Sequence, residues 1–247
     1  MKTIFTWLFL STALATLAQT PVNKTIPVQS GQKITMHFDY PELIKVSTWD
    51  KNEVSITGEV SINGGENDDA FSLESSVSGN EISIAGEIRD LKKLPHRITI
   101  WHKGQKISFK TKADYEKYAD EHGHNYNSMN WGTDMDIFLV IKVPKNVDTK
   151  VLSTYGTIEI KDFTGSLVAE STYGAVDAAL TEKLVGDLKA ETNYGQIYTN
   201  FDFKFSSADR NSFRDEDFHT VINIKPGTGP RYSFESKYGN VYLRKAL

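Results

Sequence analysis

Along most of the chain apolar and polar residues alternate one for one, the period of a β-strand with one buried face. Val54 and Ile56 lead into Val60 and Ile62, and Ile82 and Ile84 repeat the pattern. The alternation predicts strands at 33–38, 44–50, 53–60, 71–77 and 81–86, then at 98–101 and 106–109. The strongest strand pattern, 136–144, ends at Pro144, which has no N–H to give a ladder. Ser78-Gly79-Asn80 reads as a hairpin turn. One stretch changes period: over 112–122 Tyr115, Tyr118, Ala119 and His122 share a helical face, and Gly123 stops it.

From Val151 onward a single phrase recurs. It reads Ser153-Thr154-Tyr155-Gly156-Thr157-Ile158, then Ser171-Thr172-Tyr173-Gly174-Ala175-Val176. It returns as Thr192-Asn193-Tyr194-Gly195-Gln196-Ile197 and Ser236-Lys237-Tyr238-Gly239-Asn240-Val241. The tyrosines are 18 apart (173 − 155), then 21 (194 − 173), then 44 (238 − 194). A period near 20 residues marks stacked supersecondary units, each burying its apolar side on its neighbours. Buried-type residues take even offsets upstream of each Tyr (Val151, Ser153) and odd offsets downstream (Ile158, Ile160). The change of parity predicts strand, glycine corner at φ > 0, strand. The expected fold is all-β, a β-solenoid or β-helix-like stack with Tyr-Gly corners plus a small helix-containing insertion. Tyr155, Gly156, Tyr173, Gly174, Tyr194, Gly195, Tyr238 and Gly239 are its structural repeat residues.

By the same parity the tyrosines are expected to be a buried packing ladder; the alternative is an exposed aromatic strip for sugar rings. Glu170, Glu191 and Glu235, each three before its Tyr, form an outer acidic row. Between Thr199 and Tyr232 one Tyr-Gly phrase is missing, and a charged loop, 209–217, interrupts the rungs. The final rung is expected at the open end of the stack, with Arg244 and Lys245 guarding its edge.

The 247 residues carry a net charge of −4, with no basic signal for nucleic acid. The chain has no Cys, which removes disulfides, thiol catalysis and thiolate metal sites. Lys2, the apolar run from Ile4 and the small residues up to Ala18 read as a signal peptide cleaved before Gln19. Its apolar stretch of about 14 residues falls short of the roughly 20 that span a bilayer. The expected organisation is signal peptide 1–18, N-terminal β region 19–100, insertion 101–133 and β-repeat region 134–247. Export to the periplasm or cell surface follows, with no transmembrane segment in the mature chain.

With Val46 to Ile56 around Trp49-Asp50, Ile141-Lys142-Val143-Pro144 and the successive Tyr-Gly-x-Ile/Val rungs, the chain resembles the bacterial putative-adhesin family. The likeness covers nearly all of the mature chain outside 101–133. It implies an exported β-strand-repeat protein whose domain has no assigned activity, so no catalytic residue carries over.

The candidate chemistry is sparse. His122 and His124, beside Asp120 and Glu121, are too few to hold a metal, which needs three or four converging ligands. Trp101, Tyr115, Tyr118, Tyr126 and Trp131 are expected as a satellite core of the insertion. Asp209, Arg210, Arg214, Asp215, Glu216 and Asp217 are the nearest thing to a polysaccharide-cleaving set, and they share one loop. The expectation is therefore a non-enzymatic envelope protein, adhesin-like or structural, without cofactor, metal or catalytic site. A surface glycan or an envelope protein is its expected partner, nucleic acid is not, and the open edges of the stack offer self-association. A carbohydrate-active β-helix enzyme is the alternative.

Overall fold

The structure is a computed structural model that describes residues 19–202 and 213–246. Residues 1–18, read from the sequence as a signal peptide, and Asp209 and Arg210 of the charged loop lie outside the described residues. The first strands are β1 (Thr20–Pro27), β2 (Lys33–Phe38), β3 (Leu43–Trp49), β4 (Glu53–Ile62) and the hairpin β5 (Phe71–Ser78) and β6 (Glu81–Ile88). A small sheet follows, β7 (Arg97–His102), β8 (Gln105–Phe109) and β9 (Ser128–Gly132), with helix α1 (Lys112–His122) before its last strand. Strand β10 (Met135–Pro144) leads into the repeats: β11 (Thr149–Ser153), β12 (Thr157–Ile160), β13 (Leu167–Ser171), β14 (Val176–Leu180), β15 (Asp187–Thr192) and β16 (Ile197–Thr199). The hairpin β17 (Phe213–Glu216) and β18 (His219–Ile224) precedes the last pair, β19 (Arg231–Ser236) and β20 (Val241–Lys245).

Two sheets hold the main core. One runs β1-β4-β10-β3-β12-β14-β20-β16, the other β17-β18-β15-β19-β13-β11-β2-β6-β5. Each Tyr-Gly phrase carries the chain from the second sheet to the first, making a rung of two strands and a corner. Asp39-Tyr40-Pro41-Glu42 does the same between β2 and β3, so there are five rungs. Their spatial order is β2/β3, β11/β12, β13/β14, β19/β20, β15/β16. The last rung in the sequence therefore lies inside the stack, between two rungs that precede it. It is not the open end expected from the sequence. Arg244 reaches sideways to both carboxylate oxygens of Asp177 at 2.7 Å, and Lys245 pairs with Glu182 and Asp202.

The missing phrase is explained by antiparallel pairing. β18 runs against β15 and β17 against β18, with Asp217 and Phe218 at positive φ in the tight turn between them. This hairpin covers the edge of β15 where the 22-residue spacing would have placed another rung.

Every second residue of each rung points between the sheets, as period two demands. Ile34, Met36 and Phe38 face Ile44 and Val46, and the same inward positions hold Val151, Ile158, Ala169, Val176, Phe234 and Val241. Each fully buried Val, Ile, Leu or Phe contributes about 1.5–3 kcal/mol. Residues from 19–100 and from 134–247 belong to this one cluster, since β3 pairs with both β10 and β12 and β2 with both β6 and β11.

The small sheet begins at Arg97, so the boundary expected at 101 falls within β7. Helix α1 forms over the residues whose period predicts it. The Thr111 hydroxyl caps it, accepting the Asp114 N–H at 3.1 Å, and Gly123 at φ 78° ends it. Tyr115, Tyr118 and Tyr126 pack on Ile98, Ile100 and Phe109 as the expected satellite core. Trp101 and Trp131 stand outside it, exposed, against expectation. In the 63–69 turn Asp68 accepts the Ile62 N–H at 2.6 Å and so closes the turn on β4, while Glu66 ties the main body to the small sheet by pairing with Arg97 at 2.7 Å and with Lys110.

Candidate functional site

The corners present the only long run of exposed aromatic rings among the described residues. Their glycines sit where the sequence places them, for a reason other than the expected one. Gly156, Gly174, Gly195 and Gly239 are absent from the residues at positive φ. What forbids a side chain is the next rung. A Cβ on Gly156 would overlap the Pro41 carbonyl, one on Gly174 the Gly156 carbonyl, one on Gly239 the Gly174 carbonyl and one on Gly195 the Gly239 carbonyl. All four approaches are inside the 3.0 Å that real Cβ atoms keep. Glycine is required here for close approach of backbone to backbone.

At three corners the hydroxyl two residues before the Tyr locks the same contact, while Ser153 before Tyr155 accepts the N–H of its own Gly156 at 2.9 Å. Ser171 accepts its own Gly174 N–H at 2.9 Å and donates to the Gly156 carbonyl at 2.9 Å. Ser236 accepts from Gly239 at 2.8 Å and donates to Gly174 at 2.7 Å, and Thr192 accepts from Gly195 at 3.0 Å and donates to Gly239 at 2.9 Å. All three hydroxyl residues are buried. Backbone pairing continues through the corner: the N–H groups of Tyr155, Tyr173, Tyr238 and Tyr194 donate to the carbonyls of Asp39, Thr154, Thr172 and Lys237 at 2.9–3.1 Å. The corners at Tyr173, Tyr238 and Tyr194 are thus each held to the rung beside them by two bonds, one from the hydroxyl and one from the Tyr N–H.

The tyrosines themselves point out. Tyr155, Tyr173, Tyr194 and Tyr238 are 45–60% exposed, which overturns the buried packing ladder. The strand ends at the Ser or Thr and the Tyr lies in the corner, so strand parity does not reach it. In space the rings run Tyr40, Tyr155, Tyr173, Tyr238, Tyr194, with centroids 5.0–5.2 Å apart and planes within 15° of parallel. Phe218, at the tip of the β17–β18 hairpin and 76% exposed, extends the row at 6.0 Å from Tyr194. Atoms in van der Waals contact sit about 3.5–4.0 Å apart. The wider centroid spacing means that each ring is slid across its neighbour, leaving its hydroxyl, one edge and part of a face open.

Polar groups flank the row on both sides. Thr154, Thr172, Lys237 and Asn193 precede the tyrosines, and Thr157, Asn240 and Gln196 follow the glycines. At the Tyr40 end a cleft of about 470 Å³ opens between Tyr40, Tyr155, Trp101, Asn130, Lys106 and Asp136. The Lys106 ammonium lies 2.7 Å from Asp136, pairs also with Asp134 and sits 5.8 Å from the Trp101 ring centre. Burial alone would lower its pKa, but the two carboxylates outweigh burial and raise it. Lys106 is therefore a fixed cation beside the exposed indole.

Two members of the row escaped the sequence reading. Tyr40 is followed by Pro41 and Phe38 stands where the other rungs carry Ser or Thr, so the phrase is unrecognisable. Its signal was the buried pair Met36 and Phe38 at the even upstream offsets. Phe218 belongs to no repeat, and only the hairpin brings it to Tyr194.

The acidic row lies on the outer face of the nine-stranded sheet. Glu170 and Glu191 stand in register on either side of Glu235. Lys150 pairs with Glu170 at 3.0 Å, and Lys189 and His219 hold Glu191, His219 at 2.6 Å. Burial resists ionisation of Glu191, yet its two partners outweigh burial and lower its pKa. Burial, then the charges of Glu191 and Glu170, raise the pKa of Glu235.

The other candidates disperse. The His122 ring stacks on Tyr118 with centroids 4.1 Å apart, and His124 lies beside Tyr115 and Tyr126. No three metal-ligating side chains converge among the described residues. Arg214, Asp215 and Glu216 lie along the edge strand β17, where Asp215 accepts the Thr220 hydroxyl at 2.8 Å, and Asp217 sits in the following turn. No helix among the described residues is long and apolar enough to cross a membrane.

No family model matches the chain, and no curated protein matches it. Solved structures do. A crystal structure of a "putative cell adhesion protein" from Clostridium sporogenes aligns over 92% of this chain and 100% of its own, at 11% identity and a TM-score of 0.46. A "putative adhesin" from Bacteroides fragilis aligns over 93% of this chain and 99% of its own, at 11% identity and a TM-score of 0.31.

Proposed function

We propose that the chain is a non-enzymatic, adhesin-like binding module of the cell envelope that lays an extended glycan along the tyrosine row. Export through the 1–18 segment would bring it there, and the five stacked rungs act as a short β-solenoid that supports the row. The observation that carries the reading is exposure: at four of the five rungs a tyrosine ring stands about half open on a stack whose core is closed without it, and the partly buried Tyr40 continues the row.

The pitch selects the ligand class. Rings repeat every 5.0–5.2 Å. An extended peptide advances about 3.3 Å per residue and duplex nucleic acid about 3.4 Å per step, so neither keeps phase with the row. A pyranose unit in an extended chain advances by close to one rung. Polyanions are opposed further by the net charge of −4 and by the acidic row on the adjoining sheet face. The open ring edges and part-faces meet sugar C–H groups, while Thr154, Thr172, Asn193, Gln196 and Asn240 offer hydroxyl and amide partners. Trp101 closes the Tyr40 end with a wall.

The test is retention of the mature chain on a panel of neutral polysaccharides, with the parent compared to Tyr173→Ala/Tyr238→Ala. Each offset aromatic contact is worth about 0.5–1.5 kcal/mol, so losing two should weaken binding about tenfold or more while the circular dichroism stays that of the parent. Unchanged retention in the double variant, or no retention of the parent on any polysaccharide, would remove the glycan reading.

A further inference from the structure

We propose that the final rung, β19/β20, is an exchangeable element, and that the slot it fills also accepts residues 231–245 of a second copy of this chain. The proposal is independent of the glycan reading and rests on topology.

Wound in chain order, β15 would pair with β13 and β16 with β14. Instead β19 pairs with both β13 and β15, and β20 with both β14 and β16. The slot's two walls are therefore rungs that come earlier in the sequence, joined to each other through residues 181–186. Everything the slot recognises is a feature of the repeat. The Ser236 hydroxyl reaches the Gly174 carbonyl, the Thr192 hydroxyl reaches the Gly239 carbonyl, and the Tyr238 ring sits between Tyr173 and Tyr194. Gly239 and Gly195 admit the close approach on which these bonds depend. Another copy's final rung presents the same groups at the same spacings, so it fits the same slot.

The connection that would have to open is lightly held. Lys225-Pro226-Gly227-Thr228-Gly229 is exposed along its length and places no side chain in the core. It is fastened by two backbone bonds, Gly186 N–H to the Pro230 carbonyl at 3.0 Å and Gly227 N–H to the Gly186 carbonyl at 3.3 Å. It is held further by the exposed Lys225–Asp187 ion pair at 3.7 Å and by the close approach of Gly229 to the backbone of Leu184 and Gly186. It also borders a cleft of about 830 Å³ beside Leu184 and Phe163, so little packs against it from that side. Releasing the rung from its own slot and seating it in a neighbour's changes the hinge and leaves the rung's own contacts intact. That is the condition under which an identical element is exchanged at low cost. The mode is strand addition, with main-chain bonds giving affinity and side-chain positions giving specificity. Two modules joined in this way, one from each of two surfaces, would make self-adhesion.

The absence of cysteine makes the test direct, because each introduced thiol is unique. Val168 and Ser233 are register partners on the half-exposed outer face of the nine-stranded sheet. Val168→Cys and Ser233→Cys are made singly, mixed at high concentration, warmed to just below the melting temperature, cooled and oxidised. The expected result is an interchain disulfide joining residues 168 and 233, identified by peptide mass mapping, several-fold above a control mixture of Val168→Cys with Ser76→Cys on the far edge strand. In the double variant, oxidised before warming, the bond should form within one chain and the dimer should not appear. Glu170→Cys with Glu235→Cys, also register partners, serves if Val168→Cys fails to fold. Crosslinking no greater than the Ser76 control, or a dimer linked elsewhere than 168–233, overturns the proposal.

Discussion

At the scale of the residue, the corner glycines separate two reasons for the same amino acid. A glycine held at positive φ can be replaced by Asn at modest cost, because Asn tolerates the left-handed region. A glycine pressed against a carbonyl tolerates no side chain. Gly79, at φ 58° with open space around it, is the first kind, and Gly174 the second. Asn is therefore expected to be tolerated better than Ala at 79, whereas Ala and Asn at 174 should both cost about 1–3 kcal/mol, as overpacking does. Chemical denaturation of the four variants checks this. A Gly174→Asn variant as stable as the parent would restore the conformational explanation. Glu235 supplies a pH-dependent counterpart. Its folded pKa is raised above the ordinary 4.5, so its stabilising effect is full below that value and is lost as pH rises through the folded pKa. Glu235→Gln should accordingly melt higher than the parent at pH 7 and equal to it near pH 3. An equal gap at both pH values would show that the substitution acts through packing instead.

The element is the rung, and its parts divide the work between inside and outside. Inward residues close the core, the Ser or Thr hydroxyl and the Gly fasten the corner to its neighbour, and the Tyr is left to face solvent. This division is why the binding test is clean. A buried aromatic cut to Ala costs about 3–5 kcal/mol, but an exposed ring gives up only its offset contacts, about 0.5–1.5 kcal/mol each. Rung pitch, strand alternation and the positions of the four Tyr-Gly corners were legible in the sequence, because all follow from local spacing. Helix α1 was legible too, with Gly123 as its stop; the cap by the Thr111 hydroxyl was added by the structure. The exposure of the tyrosines was not. Parity assigns a face only while the chain remains a strand, and Tyr155 and its counterparts fall just beyond the last strand residue.

At the scale of the whole molecule, the last rung holds the stack together from inside. Without it β13 and β15 each lose a neighbour, and so do β14 and β16. A chain ending at Pro230 should lose amide protection in all four strands, while β2, β4 and β10, whose partners remain, keep theirs. Hydrogen exchange on the truncated chain reads this directly. Protection retained in all four strands would mean that β15 closes onto β13 and β16 onto β14, and that the order of rungs is interchangeable. Intercalation also makes the decisive pairings non-local, since β19 meets β13 across more than sixty residues, as the 167–232 register shows. Such closure is intrinsically slow.

What the sequence determines by itself is the unit: a strand, a corner carrying Tyr and Gly, a second strand, written four times in plain form and once disguised around Tyr40. Period, turn chemistry and helix caps are local properties, and local residues suffice to specify them. Which unit stacks on which is decided only in three dimensions. Each of the four Tyr-Gly rungs offers its neighbours the same hydroxyl, glycine and ring, so the pairing groups cannot tell one such partner from another. The order is chosen by what is not repeated: the length of 181–186, the hairpin that covers β15, and the glycine contact between 186 and 229 where the last connection passes. The continuous row of tyrosines, with Tyr238 seated between Tyr173 and Tyr194, exists only once that choice has been made.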